Sequence, residues 1–207
     1  MTYIDYDRWP RREVFEHFSR CADPFYTVTF RQDVTALCDF CRARGLSFYL
    51  SLVWLCTKAL NAVENFRYTL DGGRVALLDG RIPSFCDLDA GGDLFRIVTL
   101  PAGDDLAAFC AAAKAKSAAQ KTFLVPSDEG ASLIYFSCVP WVDVTGLTNE
   151  RSLGPDDNIP CVAWGRHVEE NGRRVLGLSL EVNHRFIDGY HIGRFAQELS
   201  ARIEALN

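Results

Sequence analysis

The stretch Leu178-Ser-Leu-Glu-Val-Asn-His184-Arg-Phe-Ile-Asp188-Gly189 gives the strongest indication of fold and chemistry in the sequence. It places a histidine just past a buried strand, and an aspartate follows four residues later, immediately before a helix. The end of a strand can hold a general base rigidly while its side chain still reaches a ligand. On spacing alone, the pattern also fits a hydrogen-bonded loop histidine followed by an aspartate that caps the helix.

Helices and strands alternate on both sides of this stretch. Runs rich in β-forming residues predict strands at 25–31, 67–70, 74–78, 84–87, 94–100, 132–138, 161–168 and 174–182. Apolar residues at helical spacing predict helices at 11–20, 33–45, 47–63, 104–121 and 190–205. Asp33 and Ser47 are the expected N-caps of the second and third helices. The alternation predicts one α/β domain over residues 1–207, with a mixed sheet rather than a regular βαβ repeat.

The composition excludes several classes of protein. With 48% apolar and 24% charged residues, the chain can build a core, which argues against intrinsic disorder. The net charge of −5, without basic clusters, argues against a nucleic-acid partner. The longest apolar stretch is shorter than a membrane span, and residues 1–8 lack the features of a signal peptide. The sequence therefore predicts a cytoplasmic protein without a membrane partner.

Eight cysteines raise the question of a metal or redox site. Cys38 and Cys41 form a C-x-x-C pair, but the second pair that a zinc ribbon needs is missing. Cys56 and Cys110 lie in apolar helical patterns, where free cysteine behaves as a small hydrophobic residue. The sequence therefore favours buried thiols and no metal, with a metal or redox site as the alternative.

Three motifs together resemble the chloramphenicol acetyltransferase family. Asn183-His184-Arg-Phe-Ile-Asp188-Gly189 resembles its His-His-x-x-x-Asp-Gly signature, and also the Asp-His-Arg-x-x-Asp-Gly signature of dihydrolipoyl acyltransferases. Trp9-Pro-Arg11-Arg12-Glu13-x-Phe15 resembles an N-terminal motif of the chloramphenicol enzymes, and Phe136-Ser137-Cys138-Val139-Pro140-Trp141 resembles their Ser-Ala-Leu-Pro-Trp. The resemblance covers essentially the whole chain. It implies a two-layer sandwich, with the helices packed on one face of the mixed sheet.

The resemblance also implies an activity, the transfer of acetyl from acetyl-CoA, as co-substrate, to a hydroxyl group of a small molecule. His184 would be the general base that activates the hydroxyl, and Ser137 would stabilise the tetrahedral oxyanion. Asp188 would form a salt bridge with Arg11 that supports the loop carrying His184. Chloramphenicol is the leading candidate for the acceptor, with antibiotic resistance as the corresponding role.

The acceptor pocket departs from the family pattern. Asn183 replaces the first histidine of the signature, Phe18 replaces a tyrosine, and Ala163 replaces a threonine that holds a water molecule in the family. Phe18, Ala163 and Trp141 are the expected substrate-binding residues. Losing polar pocket groups affects the orientation of the acceptor more than the chemistry.

The resemblance further implies a homotrimer with active sites at subunit interfaces, where His184 of one chain faces Ser137 of the next. Two alternatives remain open at this point. One is an acyltransferase of the same fold that acts on a different hydroxylated metabolite. The other is a trimeric binding protein that keeps the fold but has lost catalysis.

Overall fold

The computed structural model describes residues 1–89, 91–126, 130–151 and 153–206. In it, helices and strands alternate along the chain, as the sequence predicts. The α-helices in this part of the chain are α1 Arg12–Phe18, α2 Thr35–Arg44, α3 Phe48–Ala62, α4 Leu106–Ala119 and α5 Gly189–Glu204. Among the described residues, no helix is both long enough and apolar enough to cross a membrane.

The strands of the described residues form two sheets. The larger sheet contains β2 Phe25–Asp33, β5 Ile82–Leu88, β6 Phe95–Thr99, β7 Leu133–Val139, β8 Cys161–Gly165, β9 Val168–Glu170 and β10 Arg173–Asn183. The smaller sheet contains β1 Thr2–Tyr3, β3 Tyr68–Asp71 and β4 Arg74–Leu77. The larger sheet runs in the order β2-β10-β8-β7-β5-β6, with β9 beside β10. β7 is parallel to β5 and β8 and the other pairs are antiparallel, so the predicted mixed sheet is confirmed.

The core lies between the helices and one face of the larger sheet. Alternate residues of a strand point to opposite faces, and Leu176, Leu178, Leu180 and Val182 of β10 are all fully buried on the helical side. The central helix α3 begins after Ser47, whose Oγ accepts the N–H of Leu50 at 3.3 Å as a sequence-predicted N-cap. The layer of helices on one face of the sheet confirms the predicted two-layer fold.

The opposite face of the sheet carries small and polar side chains in a row across the strands. Ser137 on β7 pairs with Ala163 on β8, which pairs with Ser179 on β10, which pairs with Thr29 on β2. The hydroxyl oxygens of Ser179 and Thr29 are 2.6 Å apart. This register places Ser137 and Ala163, two of the predicted site residues, side by side on the same face.

Two glycines make room for the chain that follows β7 and crosses this face. A Cβ atom on Gly177 would lie 2.0 Å from the carbonyl oxygen of Val144, and one on Gly165 would lie 2.4 Å from that of Val142. Both distances are far below any real contact. The same Val142 carbonyl accepts the N–H of Arg166 at 2.7 Å, so the crossing segment is bonded as well as packed.

The structure corrects three details of the sequence prediction. The two-residue strand β1, which joins the predicted hairpin of β3 and β4, is not predicted, because so short a strand has no periodicity. The predicted strand 161–168 is interrupted after Gly165, although both β8 and β9 pair antiparallel with β10 as expected. Asp33 is not the cap residue of α2, which is Val34, but its Oδ1 still accepts the N–H of Thr35 at 2.9 Å.

Candidate active site

His184 stands immediately after the last residue of β10, as the sequence predicts. Its main-chain N–H donates to the carbonyl of Pro24 at 2.8 Å, and its own carbonyl accepts from Nη2 of Arg11 at 3.2 Å. The backbone of this histidine is therefore bonded in two directions, which fixes where its side chain starts.

Arg11 reaches this segment from the start of α1 with all three of its guanidinium nitrogens. Nη1 donates to Oδ2 of Asp188 at 2.8 Å, and Nε donates to the carbonyl of Arg185 at 3.0 Å. The third bond is the one to the His184 carbonyl. The predicted salt bridge between Arg11 and Asp188 is therefore present, and it extends to the backbone of the base.

Asp188 is also the N-cap of helix α5. The structure therefore contains both the salt bridge that the family resemblance implies and the helix cap that fits the spacing alone. Its Oδ1 accepts the N–H of Tyr190 at 3.0 Å, and Nδ1 of His191 accepts the N–H of Asp188 at 3.1 Å. Burial lowers the pKa of His191 while the Asp188 carboxylate opposes the shift, and the net direction favours the neutral ring whose Nδ1 accepts this N–H. Burial alone would raise the pKa of Asp188, but the hydrogen bond from Arg11 and the neighbouring charges lower it overall.

The imidazole of His184 lies between two aromatic rings. Phe18 stacks on it with ring centroids 3.8 Å apart and an interplanar angle of 19°, and Tyr26 contacts it at 4.5 Å and 40°. Burial lowers the pKa of His184 below its ordinary 6.5; Arg11 lowers it further, while Asp188 opposes the shift. The ring is therefore the neutral imidazole that a general base requires at neutral pH.

Ser137 lies at a different place, where strands β5 and β7 stop pairing. Their ladder ends at Phe85 and Phe136, and a cavity of about 350 Å³ opens beside the next residues. Its walls are mainly apolar, and they include Cys86, Cys138, Phe95, Trp141 and Ser137 itself. Trp141 is 67% exposed at the rim.

The structure brings some predicted site residues together and separates others. Arg11, Asp188, Phe18 and His184 form one cluster. Ser137 and Trp141 line the cavity, with Ala163 buried next to Ser137. Ser137 on β7 and Ser179 on β10 lie at the same level of the sheet, two strand spacings apart, because both pair with Ala163 on β8. His184 follows Ser179 by five residues along the chain. That places Ser137 and His184 of one chain about 16 Å apart along the strands and about 10 Å apart across them.

Tyr26 and His191 belong to the His184 cluster but are missed by the sequence analysis. In the sequence, Tyr26 looks like any other residue of β2. Its contact with His184 follows from the register, which pairs Tyr26 with Val182, two residues before the base. His191 has a signal that could have been used: it is the third residue after the helix cap, where a side-chain acceptor completes a capping box.

The cysteines are free thiols in the structure. Cys38 and Cys41 lie buried on α2, and burial raises the pKa of both. In the described ranges, no group of three or more histidine, cysteine, aspartate or glutamate side chains is arranged to hold a metal ion.

Replacing Asp188 by asparagine should separate the charge pair from the helix cap, because the amide oxygen can still accept the Tyr190 N–H. We expect kcat to fall by up to about 10²-fold through displacement of His184. The pair lowers the pKa of Asp188 below its ordinary 3.8. Its contribution to stability is therefore present at neutral pH and is lost as the pH falls below that value. Turnover assays and thermal unfolding against pH measure the two effects.

The control for this experiment is Arg12→Ala. Arg12 neighbours Arg11 but pairs with Glu16 at 2.8 Å and Asp7 at 3.0 Å on the exposed side of α1. Exposed ion pairs contribute little to stability, and these two do not involve the segment of His184. The Arg12→Ala variant should therefore keep both its stability and its activity. An Asp188→Asn protein with the kcat of the Arg12→Ala control would contradict the supporting role of the Arg11–Asp188 pair.

Comparisons with known proteins agree with this arrangement. The family model described as chloramphenicol acetyltransferase matches residues 1–200. A chloramphenicol acetyltransferase of Streptomyces acrimycini is 30% identical over 200 residues, which are 95% of this chain and 91% of that protein. One from Clostridium perfringens is 26% identical over 208 residues, 97% of this chain and 95% of that protein.

Solved structures give the same result at the level of the fold. A chloramphenicol acetyltransferase superposes with a TM-score of 0.90 at 25% identity, covering 98% of this chain and 100% of that one. The cubic core of a pyruvate dehydrogenase multienzyme complex superposes with a TM-score of 0.66 at 20% identity, covering 93% and 86% of the two chains.

Proposed function

The chain belongs to the chloramphenicol acetyltransferase family, and we propose that it transfers acetyl from acetyl-CoA to a hydroxyl group of a small molecule, with chloramphenicol as the leading candidate. The observation that carries the proposal is the position of the His184 imidazole at the end of β10, held against the rings of Phe18 and Tyr26 where burial lowers its pKa. We place residues 1–207 in one domain and the enzyme in the cytoplasm, with antibiotic resistance as its role if chloramphenicol is its acceptor.

In the proposed mechanism, His184 removes the proton of the acceptor hydroxyl as its oxygen attacks the thioester carbon of acetyl-CoA. The new carbon–oxygen bond produces a tetrahedral oxyanion, to which the Ser137 hydroxyl donates a hydrogen bond. One such donor contributes about 3 kcal/mol to the transition state. The carbon–sulfur bond then breaks, and the CoA thiolate takes the proton back from the imidazolium. The products are the acetyl ester and free CoA, and no metal takes part.

The reaction needs His184 at the acceptor hydroxyl and Ser137 at the oxyanion of the same tetrahedral intermediate, so we propose that neighbouring chains of a homotrimer share each site. The separation within one chain, about 16 Å along and about 10 Å across the strands, is too large for both residues to contact one small group. Large apolar side chains of the cavity wall are exposed, including Trp141 at 67% and Phe95 at 46%. Such patches are typical of interfaces, and a cyclic trimer would cover them with a repeated head-to-tail contact.

A second candidate function is an acyltransferase of this fold with a different hydroxylated acceptor. Ala163 favours it, because a fully buried methyl group stands next to Ser137, where the family pattern has a threonine. Phe18 favours it as well, since the ring that stacks on the base lacks the hydroxyl of the family tyrosine. Both changes remove polar groups that would orient chloramphenicol.

A free-CoA release assay against a panel of hydroxylated acceptors, including chloramphenicol, tests these proposals. Thiol release with chloramphenicol supports the first candidate, and release with another acceptor alone supports the second. Calorimetric binding of acetyl-CoA without thiol release for any acceptor would instead indicate the non-catalytic binding protein that the sequence left open.

We expect Ser137→Ala to lower kcat on the order of 10²-fold while the affinity for acetyl-CoA stays unchanged, because the hydroxyl acts on the oxyanion. The matched control is Ser179→Ala, a serine on the same face two strands away whose hydroxyl bonds Thr29. It should keep its kcat. A loss for Ser137→Ala that is confined to KM would show a binding group rather than a transition-state donor.

A further inference from the structure

Asn183 and Arg185 flank His184 and form a hydrogen-bonded unit that the proposed mechanism does not use. Asn183 is completely buried, and Arg185 is 9% exposed. Oδ1 of Asn183 accepts the main-chain N–H of Arg185 at 3.0 Å and its Nε–H at 3.1 Å. The first bond closes an Asx turn, a side-chain mimic of a backbone turn, and His184 is the residue enclosed by it. The side chain of Asn183 thus shapes the backbone from which the imidazole projects.

The same two side chains hold the segment around Asp157. Nδ2 of Asn183 donates to the carbonyl of Asp157 at 3.0 Å, and Nη2 of Arg185 donates to that carbonyl at 2.9 Å. Nη1 of Arg185 donates to the carbonyl of Pro155 at 3.2 Å. Both ends of the asparagine amide and all three guanidinium nitrogens are bonded. A buried polar unit with every group bonded holds one arrangement, since any other leaves unpaired groups away from water.

Arg11 holds the same turn through the carbonyl groups of that turn. Its guanidinium bonds the carbonyls of His184 and Arg185, while Asn183 and the Arg185 side chain connect the turn to residues 155 and 157. The turn is therefore fixed between helix α1 and a loop. Its direction places the imidazole between the rings of Phe18 and Tyr26.

We infer that Asn183 and Arg185 are positioning residues for the general base: the Asx turn aims the imidazole of His184 between Phe18 and Tyr26, and Arg185 anchors the turn to residues 155 and 157. This inference rests on the proposed role of His184. What position 183 must supply is an acceptor for the N–H two residues later. Aspartate supplies that acceptor and alanine does not.

The first experiment compares Asn183→Ala with Asn183→Asp. Alanine should lower kcat by about 10- to 10²-fold, because a displaced base loses the geometry of attack, while KM for acetyl-CoA stays unchanged. Aspartate keeps both bonds to Arg185 but loses the donor to the Asp157 carbonyl, so it should restore part of the activity. An Asn183→Ala enzyme with wild-type kcat, or an Asn183→Asp enzyme as impaired as the alanine variant, would overturn the inference.

The matched control is Asn61→Ala. Asn61 also bonds the backbone with both ends of its amide, to the carbonyl of Arg81 at 3.0 Å and the N–H of Arg81 at 2.7 Å, but lies outside the His184 cluster. It should lower the melting temperature and leave kcat unchanged. If it lowers kcat as much as Asn183→Ala does at equal loss of stability, the effect is general destabilisation and the inference fails.

A second readout is independent of activity. Histidine-labelled protein, titrated by NMR, reports the pKa of His184, which burial lowers, with Arg11 and His17 adding to the shift and Asp188 opposing it. In Asn183→Ala the ring should leave its position between Phe18 and Tyr26, and its pKa should rise toward 6.5. An unchanged pKa would overturn the inference. A raised pKa in a protein whose wild type turns over no acceptor would uphold the positioning of the imidazole by Asn183 and refute the proposed function.

Discussion

Replacing His184 by alanine is expected to lower kcat by about 10²- to 10⁴-fold while the fold is retained, because removal of a general base leaves the acceptor hydroxyl protonated during attack. The side chain is half-buried at the end of β10, and its backbone bonds to Pro24 and Arg11 do not involve the imidazole. Steady-state kinetics with any acceptor that the wild type uses gives the measurement, and circular dichroism checks the fold.

The pH dependence gives a second check on the same residue. Since burial lowers the pKa of His184 below 6.5, the base stays neutral to lower pH than an ordinary histidine would. The wild-type kcat/KM should therefore fall on the acid side only below that value. His167→Ala is the control, since His167 packs against Phe48 outside the cluster. Near-full activity of His184→Ala, beside an unaffected control, would show that the proposed mechanism is wrong.

Mixing inactive His184→Ala subunits with inactive Ser137→Ala subunits should restore activity, from near background to about a quarter of the wild-type level. When equal amounts of the two subunits assemble at random into cyclic trimers, about a quarter of the interfaces combine an intact His184 with an intact Ser137 of the neighbouring chain. The physical reason is the separation of the two residues within one chain, about 16 Å along the strands and about 10 Å across them. Mass spectrometry monitors the subunit exchange, and acetyl transfer is measured after exchange is complete.

The control mixes His184→Ala subunits with subunits that carry both substitutions, which cannot form an intact pair. Light scattering should give about three times the chain mass of 23.2 kDa for all of these samples. No recovery after demonstrated exchange, or an active monomer, would place both residues in the site of one chain and refute the shared site.

Local features of the fold were predictable because their causes are local. Ser47 caps α3 and Gly45 ends α2 in a left-handed conformation with φ of 64°, and both effects involve residues within a single turn. The pairing of β1 with β4 was not predictable, since it joins Tyr3 to Ala76 through a two-residue strand. Sheet order depends on such distant contacts, which no local pattern records.

The candidate site divides in the same way. Motifs in the sequence mark His184, Ser137, Arg11 and Asp188 as candidates. The place of Tyr26 depends on the register between β2 and β10. The sequence predicts Phe18 in the acceptor pocket, whereas in the structure its ring also stacks on the imidazole of His184. The bonds of Asn183 to residue 157 were equally hidden, because they connect the end of a strand to an irregular loop.

The two glycines beneath residues 142–144 have a consequence for how this enzyme can change. Gly165 and Gly177 leave a strip of the sheet surface without side chains, and the backbone of Val142 and Val144 packs against this strip. This anchor stands between Ser137 and the long loop that ends near residue 158. An insertion or deletion between Val144 and Pro155 is therefore absorbed within the loop and leaves the strand of Ser137 in place. Residues 155 and 157 hold the turn of His184, so the part of the loop before them is the part that can change in length without disturbing either half of the reaction centre.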